Sequence, residues 1–61
     1  MPVLRARKLM RAMPVGETLV VLATDDAAPA DFEAFCRESG HGFGGVEQAG
    51  DTYRIRIEKT H

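Results

Sequence analysis

The segment PVLRARKLMRAMPVGETLVVLATDD, residues 2–26, decides the fold, because it contains a helical pattern, its stop and a strand in succession. At about 100° per residue, its first half places apolar residues on one side and basic residues on the other. Pro14 and Gly16 then interrupt the pattern. We therefore predict a helix over residues 2–13, with Pro2 at a first helical position, where its missing N–H costs nothing. The apolar side consists of Val3, Ala6, Leu9, Met10 and Met13.

The stretch TLVVLA, residues 18–23, is predicted to be a strand because it is short and rich in branched aliphatic residues. It shows no polar alternation, so we expect both of its faces to be at least partly covered. The sequence TDDAAP that follows is typical of a turn and a helix start, with Asp25 or Asp26 as the cap. A second helix is predicted over residues 29–39, and Gly40 is its expected left-handed C-cap.

Two strands joined by a tight turn are predicted at the end of the sequence. Residues 52–59 alternate strictly between large apolar and charged side chains, which is typical of a strand with one covered face. The partner strand, about residues 43–49, is less regular, because Phe43 and Val46 are out of phase for a flat strand. The glycine pair between them would allow a bulge, and Gly50-Asp51 makes the hairpin turn. The alternating apolar face consists of Tyr53, Ile55 and Ile57.

Length and composition indicate one small globular domain, residues 1–61. The chain is 44% hydrophobic and 28% charged, with a net charge of −1, which is ordinary for a globular protein and makes a nucleic-acid partner unlikely. Its one cysteine, Cys36, allows no internal disulfide and favours the reducing cytoplasm. No apolar run approaches the roughly 18 residues of a membrane span. We expect no cofactor and no metal.

The same segments resemble a known family. PVLRARKLMRAMPVGETLVVLATDD, followed by FCRESGH and the hairpin VEQAGDTYRIRIEK, is similar to the TusA (SirA-like) sulfur carriers over essentially the whole chain. The resemblance implies an α+β fold, a two-layer sandwich in the order α-β-α-β-β, with both helices on one face of a mixed sheet. The family order is β-α-β-α-β-β, so the first strand would be lacking here.

The resemblance also implies a function. Family members carry a Cys-Pro-x-Pro motif at the start of the first helix, and its cysteine accepts persulfide sulfur from a donor such as a cysteine desulfurase. The sulfur passes to a downstream relay protein, for instance toward tRNA thiolation. Aligned with this motif, Met1 stands at x and Pro2 is the remnant second proline, so the catalytic cysteine would precede Met1. A thiol there would have a lowered pKa, because the helix N-terminus is positive.

Three interpretations of this start stay open, and with them whether the chain is itself an enzyme. The start could be assigned too far downstream, the chain could be a cysteine-less relative that binds partners, or Cys36 could have taken over a thiol role. We expect the chain as written not to transfer sulfur. Because Cys36 shares a helix face with Phe32 and Phe35, it is more simply explained as a buried, inert thiol.

The first helix carries the candidate partner-binding residues Leu4, Arg5, Arg7, Lys8 and Arg11. A basic helix face is most often simply solvated. An apolar leucine among the cations favours an interaction surface, although single exposed leucines are common. The alternative function is therefore a non-catalytic protein-binding module that uses this helix. Cys36 and His41 are too few for a metal site, and His61 is expected to have no role.

Two structural expectations complete the prediction. An uncovered edge on the strand at residues 18–23 would expose unpaired backbone groups, which favours a homodimer. The predicted core consists of Val3, Ala6, Met10, Met13, Leu19, Val21, Phe32, Phe35, Cys36, Val46 and the face of Tyr53, Ile55 and Ile57.

Overall fold

The structure, a computed structural model, describes the backbone of residues 2–61 and the side chains of residues 4–61. The predicted core position Val3 and the motif remnant Pro2 therefore lie outside the described side chains, and Met1 lies outside the described residues. Every predicted element is present, within a residue or two of its expected bounds. The elements are α1 (Pro2–Ala12), β1 (Thr18–Ala23), α2 (Ala28–Ser39), β2 (Gly42–Ala49) and β3 (Thr52–Glu58).

The three strands form one sheet in the order β1-β3-β2. Both pairings are antiparallel, so the mixed sheet implied by the resemblance is not found among the strands of residues 2–61. The hairpin places β3 next to β2, and the long return through α2 places β1 on the other side of β3. Helix α1 contacts β1, and α2 contacts β2, β3 and α1. The α+β architecture is confirmed, and β1 and β2 are its edge strands.

The core lies between the sheet and the two helices. Its two fully enclosed strand residues, Ile55 and Ile57, come from the central strand β3. The prediction is confirmed for most positions, with Val46 as the exception at 37% exposure. Val46 pairs with Ile55, but it stands on an edge strand that has a neighbour on only one side. The buried residues are Ala6, Met10, Ala28, Phe32, Phe35, Cys36, Ile55 and Ile57, and Met13, Leu19, Val21, Ala23, Phe43 and Tyr53 pack around them.

The outer face of β1 is open, contrary to the expectation that both faces would be covered. Leu19 and Val21 point toward the helices and are partly buried, whereas Val20 and Leu22 are exposed, Leu22 at 68%. The reason is that both helices pack on one side of the sheet. The unbroken apolar sequence of β1 therefore does not mean that both of its faces are covered.

A bulge in β2 is confirmed at the glycine pair. The register shifts between Phe43 and Gly45, so that Phe43 pairs with Ile57 and Val46 with Ile55. This shift places the two apolar side chains on the same face of the sheet. A Cβ at Gly44 would lie 3.0 Å from the Cβ of Arg56, so the bulge also needs the absence of a side chain.

The predicted capping of α2 is found at its C-terminus but not at its N-terminus. Gly40 adopts the left-handed C-cap, with φ 83°, and its N–H donates to the carbonyl of Cys36. At the other end Ala27 is the N-cap and has no side-chain capping bond, so the prediction of an aspartate cap is wrong. Asp25 instead accepts a 2.9 Å bond from the Ala27 N–H in the turn before the helix, a common aspartate conformation. Asp26 accepts a 2.7 Å bond from the hydroxyl of Tyr53.

Candidate functional site

Helix α1 packs against the rest of the domain through one face, and its other face is exposed to solvent. Ala6 and Met10 are buried against the rest of the domain, one turn apart. Residues on the opposite side are exposed, among them Leu4 at 60%. The helix therefore follows the predicted amphipathic pattern, except that Leu9, assigned to the apolar side, is 52% exposed at the edge of the contact.

The five candidate partner-binding residues lie together. They line one shallow depression of about 410 Å³ along the exposed side of the helix. Four of them are cations and the first turn of α1 contains no acidic residue, so the depression is positive while the whole chain has a net charge of −1. We call this set the α1 basic surface; it consists of Leu4, Arg5, Arg7, Lys8 and Arg11.

Arg7 is the member of this surface with a defined internal contact. Its guanidinium carbon lies 5.4 Å from the centre of the Phe35 ring, a cation–π distance. Since Phe35 is buried in the core, the contact couples the α1 basic surface to the packing of α2. Arg11 lies in the last turn of α1, where a cation is stabilised by the negative end of the helix dipole.

The surroundings of Cys36 are those of an unreactive thiol. Its side chain is buried in the core cluster, and its sulfur donates a long 3.8 Å hydrogen bond to the carbonyl of Gly42. Burial raises the pKa of the Cys36 thiol above its ordinary value. A transfer cysteine needs accessible thiolate and therefore a lowered pKa, so these surroundings are the opposite of what the reaction requires.

No cluster of three or more metal-ligating side chains occurs in the part of the chain that the structure describes. His41 instead stacks on His61, with 4.5 Å between ring centres. Sequence reasoning assigned no role to His61. Its partner is twenty positions away, and a single sequence carries no local signal for such a contact.

Neither helix of residues 2–61 has the length and hydrophobicity needed to cross a membrane.

Comparisons with known proteins point to one family. The family model for sulfurtransferase TusA matches residues 1–59. A protein of Neisseria meningitidis serogroup A, described as a candidate sulfur carrier protein, is 58% identical over 41 residues, which are 67% of this chain and 55% of that protein. The sulfur carrier protein TusA of Allochromatium vinosum is 35% identical over 60 residues, 98% of this chain and 79% of that protein.

The chain belongs to the TusA sulfurtransferase family. Matched segments span about half the length of the meningococcal relatives, at 55%. In a Bacillus subtilis protein described as a candidate sulfur carrier, YrkF, the match covers 97% of this chain but 32% of that protein, at 36% identity. A domain of this kind therefore also occurs within a longer polypeptide.

Proposed function

We propose that this domain works in a persulfide sulfur relay, and that the α1 basic surface is where a donor protein docks. The observation that carries the proposal is the set of four cations around Leu4 in one depression. Cations attract an acidic partner over distance and speed its approach. An exposed leucine supplies apolar area that a partner can bury. Membership in the sulfurtransferase family supports a sulfur relay in general, and we propose a cysteine desulfurase as the donor and a downstream relay protein as the acceptor.

The docking surface is tested by charge reversal. Binding of a cysteine desulfurase to the chain is titrated by calorimetry, with Lys8→Glu on α1 compared with Arg54→Glu on the open sheet face. Both residues are exposed and both substitutions change the charge by the same amount. We expect Lys8→Glu to weaken binding by about tenfold, because like charges across an interface repel, and the loss to shrink in high salt. Equal effects of the two variants would contradict docking through α1.

Within residues 1–61, we propose that no residue carries the persulfide. The only thiol is Cys36, which is buried and has a raised pKa. The alternative function is a non-catalytic binding module that uses the α1 basic surface, and the same exposed cations favour it. The nucleotide sequence upstream of Met1 discriminates between the two. An in-frame Cys-Pro codon pair after a strand-like segment supports the carrier, and a stop codon without such a pair supports the binding module.

We further propose that the domain acts in the cytoplasm and without direct contact to nucleic acid. The single cysteine supports a reducing compartment. The net charge of −1 is unlike that of a nucleic-acid-binding domain.

We also propose that two copies pair through the outer edge of β1. This edge strand is uncharged. The groove of about 440 Å³ between it and α1 is lined mainly by apolar side chains, among them Leu9, Val20 and Leu22, and by one cation, Arg5. An apolar edge of this kind pairs readily with another chain, and a symmetric contact would be self-complementary.

Sedimentation at micromolar concentration is expected to show a dimer. Leu22→Lys is expected to give a folded monomer, because Leu22 is already 68% exposed and lysine on an edge strand opposes pairing. Ala49→Lys, at an exposed position on the opposite edge strand β2, serves as a control for added charge. A well-folded monomer of the parent chain would refute the proposal.

A further inference from the structure

A second basin lies where the C-terminal ends of α1, α2 and β3 meet, and it shares Arg7 and Arg11 with the α1 basic surface. It has a volume of about 430 Å³. Most of its polar lining is cationic or imidazole, and it comes from three separate parts of the chain, residues 7–11, 38–41 and 59–61. We call it the cationic basin, and its charged and titratable residues are Arg7, Arg11, Glu38, His41, Lys59 and His61.

The ammonium group of Lys59 is fixed at the end of α1. Its Nζ donates to the carbonyl of Met13 at 2.6 Å and to that of Arg11 at 3.3 Å. These carbonyls are left without helical partners at a helix C-terminus, so Lys59 both satisfies them and brings its charge to the basin. An ammonium has three N–H donors, and two are used in these bonds.

Arg7 is positioned by the aromatic ring below it. Its guanidinium lies 5.4 Å from the centre of the Phe35 ring, and Phe35 also lines the basin. A guanidinium held over a ring face by a cation–π contact keeps N–H donors for other partners. Arg11, one turn further along α1, is a second guanidinium on the same rim.

The two imidazoles have defined tautomers. The N–H of Thr60 donates to Nδ1 of His41 at 3.3 Å, so in the neutral ring the proton is on Nε2, which remains a donor. Nε2 of His61 lies 2.8 Å from the carbonyl oxygen of Ser39. A carbonyl only accepts, so this nitrogen carries the proton. The rings stack with 13° between their planes, and their stacking holds both at the basin.

From this arrangement we propose that the cationic basin binds a small tetrahedral oxyanion, sulfate or phosphate. Three permanent cations face one carboxylate, that of Glu38, so the basin has a charge of about +2 before either histidine is protonated. Guanidinium, ammonium and imidazole N–H groups are the donors that such anions accept from. The cluster is local, since the whole chain has a net charge of −1.

Binding should strengthen as the pH falls. Burial, and then the nearby charges of His61 and Lys59, lower the pKa of His41. A bound dianion offsets both repulsions and favours the imidazolium, so it raises the pKa of His41. Protonation of Nδ1 gives up the long 3.3 Å bond from the Thr60 N–H, which the attraction to the dianion must exceed. By linkage, the anion then binds more tightly where that ring is protonated. The other groups facing the pair are Arg7 and Arg11 from α1 and Glu38 from α2, and the carboxylate opposes binding at every pH in this range.

Sulfate is the probe, because it stays dianionic throughout the titration. Histidine ring resonances of the chain are followed by NMR while sulfate replaces chloride at constant ionic strength. We expect saturable shifts of His41 and His61 and a raised His41 pKa. We also expect tighter binding at pH 5.5 than at pH 8, because these two values lie on either side of an ordinary histidine pKa. Shifts that do not saturate, or that chloride reproduces, would overturn the site.

A matched pair of variants tests the location. Arg11→Gln removes a cation from the basin, and Arg54→Gln removes the same charge from the open sheet face, where Arg54 is exposed. We expect Arg11→Gln to weaken sulfate binding about three- to tenfold, the range for a partly exposed charge-assisted contact, and Arg54→Gln to leave it unchanged. Equal losses would mean general screening and would overturn the proposal.

The final comparison distinguishes binding of a free anion from binding of the phosphate groups of a nucleic acid. Inorganic phosphate is expected to shift the same histidine resonances as sulfate, and a single-stranded oligonucleotide of the same phosphate concentration is expected to bind no more tightly. Preferential binding of the oligonucleotide would overturn the assignment. No donor protein is present in these experiments, so their outcome is independent of the proposed relay function.

Discussion

Incubation of this chain with a cysteine desulfurase and cysteine is expected to leave its mass unchanged. Persulfide formation requires the thiolate of the acceptor to attack the donor's sulfane sulfur. Cys36 is 3% exposed, and burial raises its pKa, so neither access nor ionisation favours the attack. Mass spectrometry of the intact chain measures the result. A stable gain of one sulfur that disappears in Cys36→Ser would show that Cys36 is the carrier.

The same thiol should become reactive only when the fold is lost. A thiol reagent added in buffer is expected to label Cys36 slowly, and the same reagent in denaturant is expected to label it completely. This control shows that an unchanged mass reflects burial in the core rather than a blocked or oxidised cysteine. Rapid labelling of the native chain would mean that the core around Cys36 opens readily to solvent.

Replacement of Phe35 by alanine is expected to lower the free energy of unfolding by about 3–5 kcal/mol, the usual range for deleting a buried aromatic side chain. Phe35 is 4% exposed in the core cluster. Its ring also lies below the Arg7 guanidinium and 6.3 Å from the ring of His41. A domain of this length has a total stability of roughly 3–9 kcal/mol, so about a third of it or more would be lost.

Denaturant unfolding followed by circular dichroism measures this loss. Val15→Ala is the matched control, because Val15 is an apolar residue that is 63% exposed and lines none of the proposed surfaces. Its removal is expected to change the free energy of unfolding by less than about 0.5 kcal/mol, as at most surface positions. A Phe35→Ala variant that melts within a few degrees of the parent would show that Phe35 does not support the core.

Local patterns were sufficient for most of the fold. The helical period placed Ala6 and Met10 in the core, and strict alternation placed Ile55 and Ile57 there. Glycine positions predicted the C-cap at Gly40, the β2 bulge and the hairpin turn, where Gly50 has φ 61°. These features depend on residues close together in the sequence, and so a single sequence contains them.

Features set by distant neighbours were not predictable in the same way. The covered side of β1 depends on both helices packing on one face, and an apolar run alone cannot show that Leu22 remains exposed. The exposure of Val46 depends on the position of β2 at the sheet edge. The cationic basin joins α1 to residues near 59 and 61, almost fifty positions away, and no local signal connects them.

For the candidate site, the sequence predicted which helix face is exposed but not its internal contacts. The α1 basic surface follows directly from the helical period, and all five of its residues line one depression. The cation–π contact of Arg7 with Phe35 joins two helices. The two candidate surfaces share two guanidinium groups, those of Arg7 and Arg11. The helical period predicts which face of its helix Arg7 or Phe35 lies on, but it does not show that the two side chains are in contact.

The measurement that tests the central claim most directly is a map of where a cysteine desulfurase binds this chain. Backbone amide resonances of the labelled chain are followed by NMR as the unlabelled desulfurase is added. Docking through the α1 basic surface predicts that residues 4–11 broaden or shift first and that the open sheet face, around Leu22, Arg54 and Arg56, does not change. Perturbations centred on the open sheet face, with α1 unaffected, would contradict the proposed docking surface.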